Sequence, residues 1–154
     1  VLRQVGWMAL IGGPAGLVED AIDRLETICD AYLSVSTPVQ IAVADLFKTG
    51  ASVRSQIQER VRGNYHRLVA RAGAQPACAV LPVEGGWYAV MRIPNLASEE
   101  TVVLELLDTT GVLVHPGYFF DFEREAFLVV SLLPHPDVFD PAVHALLQHI
   151  GSRR

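Results

Sequence analysis

Glycine and proline cut the second half of this chain into short runs, and that punctuation limits what it can fold into. The runs are G-G-W-Y-A-V-M-R-I-P over residues 85–94, T-G-V-L-V-H-P-G-Y-F-F-D-F over 110–122 and A-F-L-V-V-S-L-L over 126–133. Each holds a β-branched or aromatic stretch of strand length bounded by turn formers, so strands are expected at residues 87–93, 112–114 and 127–132. A shorter strand is expected over 78–81. Between residues 94 and 110 the pattern changes. Ser98 is placed to cap a helix running to Asp108, with Glu99 and Glu100 set favourably against its N-terminal dipole and Gly111 just past its end. Asp140 and Pro141 form a cap and first-turn pair for a last helix, whose core face is Val143, Leu146, Leu147 and Ile150. Short strands with a crossing helix and a terminal helix make an α+β module.

The first half reads differently. V-G-W-M-A-L-I over residues 5–11 is a continuous apolar run ended by Gly12, Gly13 and Pro14, the pattern of a strand buried on both faces. Val18, Ile22, Leu25, Ile28, Cys29 and Tyr32 recur at three and four residues and predict an amphipathic helix. Thr37 can cap the next helix, with Pro38 at its first position, running to Phe47. Residues 52–72 carry Val53, Ile57, Val61, Tyr65, Leu68 and Val69 on one stripe; a helix of about 20 residues spans roughly 30 Å and can link two domains. A boundary is expected near Gly50, giving residues 1–49 and 50–154 as the two parts. The apolar run begins soon after Val1, without cap or polar lead-in, as in a chain that starts in mid-domain.

Charge and cysteine use narrow the function. Twelve basic against seventeen acidic side chains leave a formal charge of -5 without a basic block, so a nucleic-acid partner is not expected. No apolar run approaches the roughly 20 residues that cross a bilayer, and a cytoplasmic protein is the expectation. Cys29 and Cys78 lack CxxC spacing and read as buried free thiols. His144 and His149 are five apart on one helix, not the four that would align them, so no metal site is expected. The serines have no G-x-S-x-G context for a hydrolase triad. Gly12, Gly13 and Gly16 lack both the dinucleotide spacing and the P-loop Lys-Ser/Thr, and read as a turn.

In order and spacing, the G-G-W-Y, V-L-V-H-P-G and F-L-V-V-S-L segments resemble the C-terminal small domain of the class I and II aminotransferases, fold-type I enzymes built around pyridoxal phosphate. V-L-R-Q-V-G-W at the start resembles the strand that follows the cofactor lysine in that family. The resemblance implies an α+β (α/β) chain: a small-domain sheet with packed helices, preceded by a remnant of the large cofactor-binding domain and a linking helix. It implies amino-group transfer between an amino acid and a 2-oxo acid in a parent homodimer.

The same resemblance sets the candidate residues. The cofactor lysine would fall a few residues before Val1, and the only lysine here, Lys48 in F-K-T-G-A, reads as an exposed side chain at a helix end. No catalytic residue and no covalently held cofactor are therefore expected in this chain, which alone would be inactive. Gln4 stands where the family has an Arg or Lys near the cofactor phosphate, bringing a donor but no charge. Ser36 and Thr37 lie in the stretch leading to the P-V-Q helix, either donating to the cofactor site or only capping that helix. Val129 stands where the family's late strand has the arginine that grips the substrate carboxylate. Arg124 is either its replacement or a surface arginine in a charged turn. Tyr118, with Phe119, Phe120 and Phe122, either covers substrate or packs the core. The alternative to the enzyme-fragment reading is a small α+β ligand-binding or assembly module without catalysis.

Overall fold

A computed structural model describes residues 8–32, 35–124 and 126–153. The chain divides into two compact units, Val1–Ala51 and Ser52–Arg154.

Among its described residues the first unit contains two helices, α1 (Ala15–Asp30) and α2 (Thr37–Thr49), neither of which buries a residue. The strand expected over residues 5–11 falls partly outside the described residues. Met8 to Ile11 have no regular structure, and Met8, Leu10 and Ile11 are exposed. A strand is completed by a ladder partner, and the described residues of this unit offer only helices. Cys29, expected to be buried, is exposed for the same reason: α1 has an apolar stripe, but among the described residues of the unit no core receives it. The cap of α2 is Ser36 rather than Thr37. Pro38 then occupies the second helical position, where its missing N–H would have had no partner anyway.

The second unit is an α+β module. Its helices are α3 (Ala51–Ala72, whose first residue closes the other unit), α4 (Glu99–Thr110) and α5 (Pro136–Ser152). Its strands are β1 (Ala79–Val80), β2 (Tyr88–Arg92), β3 (His115–Pro116) and β4 (Phe127–Ser131), in the order β1-β2-β4-β3 with every neighbouring pair antiparallel. One face of the sheet presents Ala89 and Met91 from β2 and Leu128 and Val130 from β4 to the core. Leu68 and Ala72 of α3, Val102, Val103 and Leu106 of α4, and Phe139, Val143, Leu146, Leu147 and Ile150 of α5 complete it. Of the long stripe expected on α3, only the C-terminal half meets this core; Val53 and Ile57 are exposed.

Three boundaries differ from expectation. The third expected strand is displaced: only His115 and Pro116 pair with β4, because Gly111 turns left-handed at φ 70° and the Val112 N–H donates to Thr110 Oγ1 at 3.3 Å instead of to a ladder. β1 is two residues long rather than four. α5 starts at Pro136, with Pro141 inside it. Asp140 is no cap; its carboxylate reaches Arg71 at 3.3 Å and Arg67 at 3.7 Å, pinning α5 to α3.

Candidate functional site

Side chains alternate across a strand, so the residues between the core positions fall on the opposite face of the sheet. Register places Tyr88 beside Ser131, Val90 beside Val129 and Arg92 beside Phe127, with His115 across Val129 from the other side. β4 lies between β2 and β3, and a series of rings crosses it on this face. Tyr88 of β2 stands 6.0 Å from Phe120, and Phe120 stands 6.1 Å from His115 of β3. Phe119 lies 6.2 Å from His115, and Tyr118 meets Phe119 edge-on at 4.9 Å. Phe122 stacks on Phe127 at 5.0 Å.

Tyr118, Phe119 and Phe120 come from a 3-10 turn, Gly117–Phe120, and Phe122 from its continuation. The turn is held from below by Glu99, the first residue of α4. Glu99 is 1% exposed; its Oε2 accepts from the Tyr118 N–H at 3.0 Å and its Oε1 from the Phe127 N–H at 2.7 Å. One carboxylate thus satisfies the start of the turn and the start of β4 together, and it sits at a helix N-terminus, where negative charge is favoured. Gly117 is required there. A Cβ on it would meet Phe127 Cβ at 2.9 Å and Glu99 Oε1 at 3.0 Å.

A second buried polar residue closes the other end of β4. Asn64 of α3, fully buried, donates from Nδ2 to Leu132 O at 3.0 Å and to Pro134 O at 2.8 Å. Neither Glu99 nor Asn64 stood out in the sequence as functional. Glu99 looked like one of two dipole acids, and the only signal that it was special was Gly117, beside a Tyr118 that lies nineteen residues away. Asn64 was visible only as a poor helix former inside a long helix.

The expected site residues are distributed as follows. Tyr118 belongs to the ring ledge and is exposed. Val129 is 3% exposed at the centre of the face that the rings cross. Arg124 lies exposed in the bend before β4, outside the ladder. Ser36 and Thr37 lie in the first unit at the start of α2, and no side-chain cap bond forms there. Gln4 lies outside the described residues. Lys48 is in the last turn of α2, its side chain 80% exposed and 3.9 Å from Asp45. Among the described residues the donor set does not fit a covalently held pyridoxal phosphate. Cys78 is partly buried, and burial pushes its thiol above the ordinary value, away from a nucleophilic thiolate. Among the described residues no His, Cys, Asp or Glu cluster could hold a metal ion, and no helix is long and apolar enough to cross a membrane.

No protein-family model matches this chain, and none of the curated proteins does. Solved structures do. A pyridoxal-phosphate-dependent aminotransferase from Streptococcus suis 89-1591 superposes with a TM-score of 0.73 at 15% identity, over 88% of this chain and 36% of that one. A probable N-succinyldiaminopimelate aminotransferase from Thermus thermophilus gives 0.72 at 19%, over 85% and 35%. LysN, an α-aminoadipate aminotransferase also from Thermus thermophilus and complexed with N-(5'-phosphopyridoxyl)-L-leucine, gives 0.67 at 20%, over 87% and 36%. What the chain shares with them is the fold. It spans about a third of the length of each.

Proposed function

We propose that this chain is the C-terminal part of a pyridoxal-phosphate-dependent aminotransferase, the parent protein passing an amino group between an amino acid and a 2-oxo acid. The observation that carries the reading is the superposition of 85–88% of this chain on about a third of three aminotransferases. The order of motifs in the sequence supports it independently. When bound, pyridoxal phosphate would supply the electron sink for the chemistry at the amino-bearing carbon. This chain's part is to present the sheet face that the rings cross, with Val129 buried at its centre and the exposed ring ledge beside it. Gln4, Ser36 and Thr37 are proposed as phosphate-side contacts supplied by the first unit, and the lysine as a residue from outside this sequence.

Two measurements test the reading. The whole product of the gene that encodes this sequence, incubated with pyridoxal phosphate and a panel of amino acids and 2-oxo acids, is expected to transfer amino groups; no transfer with any pair overturns the assignment. The chain of residues 1–154 alone, mixed with pyridoxal phosphate and reduced with borohydride, is expected to carry no stoichiometric adduct at Lys48, because that side chain stands 80% exposed in the last turn of α2. A stoichiometric adduct lost in Lys48→Ala would show that the chain holds its own cofactor. A homodimer is part of the same proposal, supported by the exposed apolar side chains Leu17, Ile28 and Ile41 on α1 and α2.

A further inference from the structure

We propose that Arg92 is the residue of this chain that meets a substrate carboxylate, and that the substrate it selects carries an apolar side chain. The inference rests on the aminotransferase reading, but it is carried by the register of the sheet. Val129, 3% exposed, leaves the centre of the face that the rings cross without a cation. Among the residues of the four strands, Arg92 is the only arginine or lysine. The pairs Val90 with Val129 and Arg92 with Phe127 put Arg92 on the same face as Val129, one diagonal step away. Diagonal neighbours in an antiparallel pair lie about 7–8 Å apart, within reach of a guanidinium. Arg92 is exposed and makes no ion pair or side-chain hydrogen bond with the described residues, so its fork is available. Arg124 has no such placement, because the bend before β4 lies outside the ladder.

The surroundings of the cation define the rest of the ligand. The ring series Tyr88–Phe120–His115 crosses β4 beside Val129, and Phe127 faces Arg92 with Phe122 stacked upon it. A planar guanidinium engages a carboxylate through two parallel hydrogen bonds, while an aromatic surface favours an aryl or branched alkyl body. Together they fit a 2-amino or 2-oxo acid with a hydrophobic side chain.

The test is read on the chain of residues 1–154 without cofactor, so it stands or falls apart from amino transfer. The probe is 3-phenylpropanoate, compared with 3-phenylpropanamide, which has the same body and no charge. Binding is followed by backbone amide shifts. The acid is expected to bind about tenfold more tightly than the amide, with the largest shifts at Val90, Phe127 and Val129. Arg92→Gln is expected to bring the two affinities together, Arg92→Lys to keep part of the difference, and Arg124→Gln to leave it unchanged. Circular dichroism checks that each variant folds; should Arg92→Gln unfold, Arg92→Lys decides, since a lysine that binds acid and amide alike refutes the role. The proposal is overturned if the acid has no advantage over the amide or fails to bind, or if Arg92→Gln keeps the advantage. It is equally overturned if the shifts gather instead in the groove of about 700 Å³ lined by Arg62, Tyr65 and Trp87.

Discussion

Glu99 holds a surface of rings in place with two hydrogen bonds from a buried position. Its carboxylate accepts from two backbone N–H groups that would otherwise be orphaned at the junction of the 3-10 turn and β4. Each such charge-assisted bond contributes on the order of 1.5–3 kcal/mol, and a buried donor left unmet costs the desolvation of that group as well. Glu99→Ala is therefore expected to lower unfolding stability by about 3 kcal/mol, and Glu99→Gln by about half that, since the amide keeps one acceptor oxygen but turns its NH2 toward a donor. Gly117→Ala acts on the same junction from the other side, at a cost of about 1–3 kcal/mol, because the added methyl presses on Phe127 Cβ and the glutamate oxygen. Urea midpoints at constant slope measure all three. Smaller losses for Gly117→Ala than for a substitution at the open Gly85 would remove the packing argument. At this scale the sequence was least legible. It pointed to Ser98 as the cap of α4, and Ser98 Oγ does accept from the Thr101 N–H at 3.2 Å. It said nothing of Glu99, whose partners lie 19 and 28 residues away, and it drew attention to Arg124 because that arginine is close to Val129 in sequence. Arg92 is close to Val129 only through strand pairing, which no local pattern encodes.

Elements were more legible than residues, because periodicity is a local property and ladders are not. The helices α1 and α3 and the strands β2 and β4 lie where the apolar spacing placed them, and α4 where its end signals did. Two of the misses share one cause: a competing partner for a group that looked free. The Val112 N–H prefers the Thr110 hydroxyl to a strand, and the Asp140 carboxylate prefers the α3 arginines to its own helix start. The link between α3 and the end of β4 follows the same logic. Asn64 sits in the helix where Leu or Ala would be the better helix former, and it is fully buried because two carbonyls need its amide. Asn64→Ala is expected to cost about 1–3 kcal/mol by leaving Leu132 O and Pro134 O without that donor. Asn64→Asp is expected to cost more, since it sets a carboxylate against two carbonyl oxygens in a buried place. Thermal unfolding of the two variants gives the order; an aspartate that proves milder than the alanine would mean that water satisfies the two carbonyls.

At the scale of the whole molecule, the two units contrast in what each buries. Every buried residue among those described belongs to the second unit, where one apolar cluster joins three helices to one face of the sheet. The first unit has helices with apolar stripes and, among its described residues, no buried position; Leu10, Leu17, Ile28, Ile41 and Leu46 are exposed there. Single exposed leucines are ordinary, but a pair of amphipathic helices without a core carries too little burial to offset the conformational entropy of ordering them. Such surface favours association with a second apolar surface, and in a solution of this chain another copy offers one. The chain of residues 1–154 is therefore expected to scatter light as a dimer or larger species at micromolar concentration. Ile28→Glu with Ile41→Glu is expected to shift it toward monomer while leaving the unfolding midpoint of the second unit unchanged, since neither side chain belongs to its core. A monomer whose α1 and α2 amides nonetheless resist hydrogen exchange would show that the first unit is stable without a partner, and the association argument would fail with it.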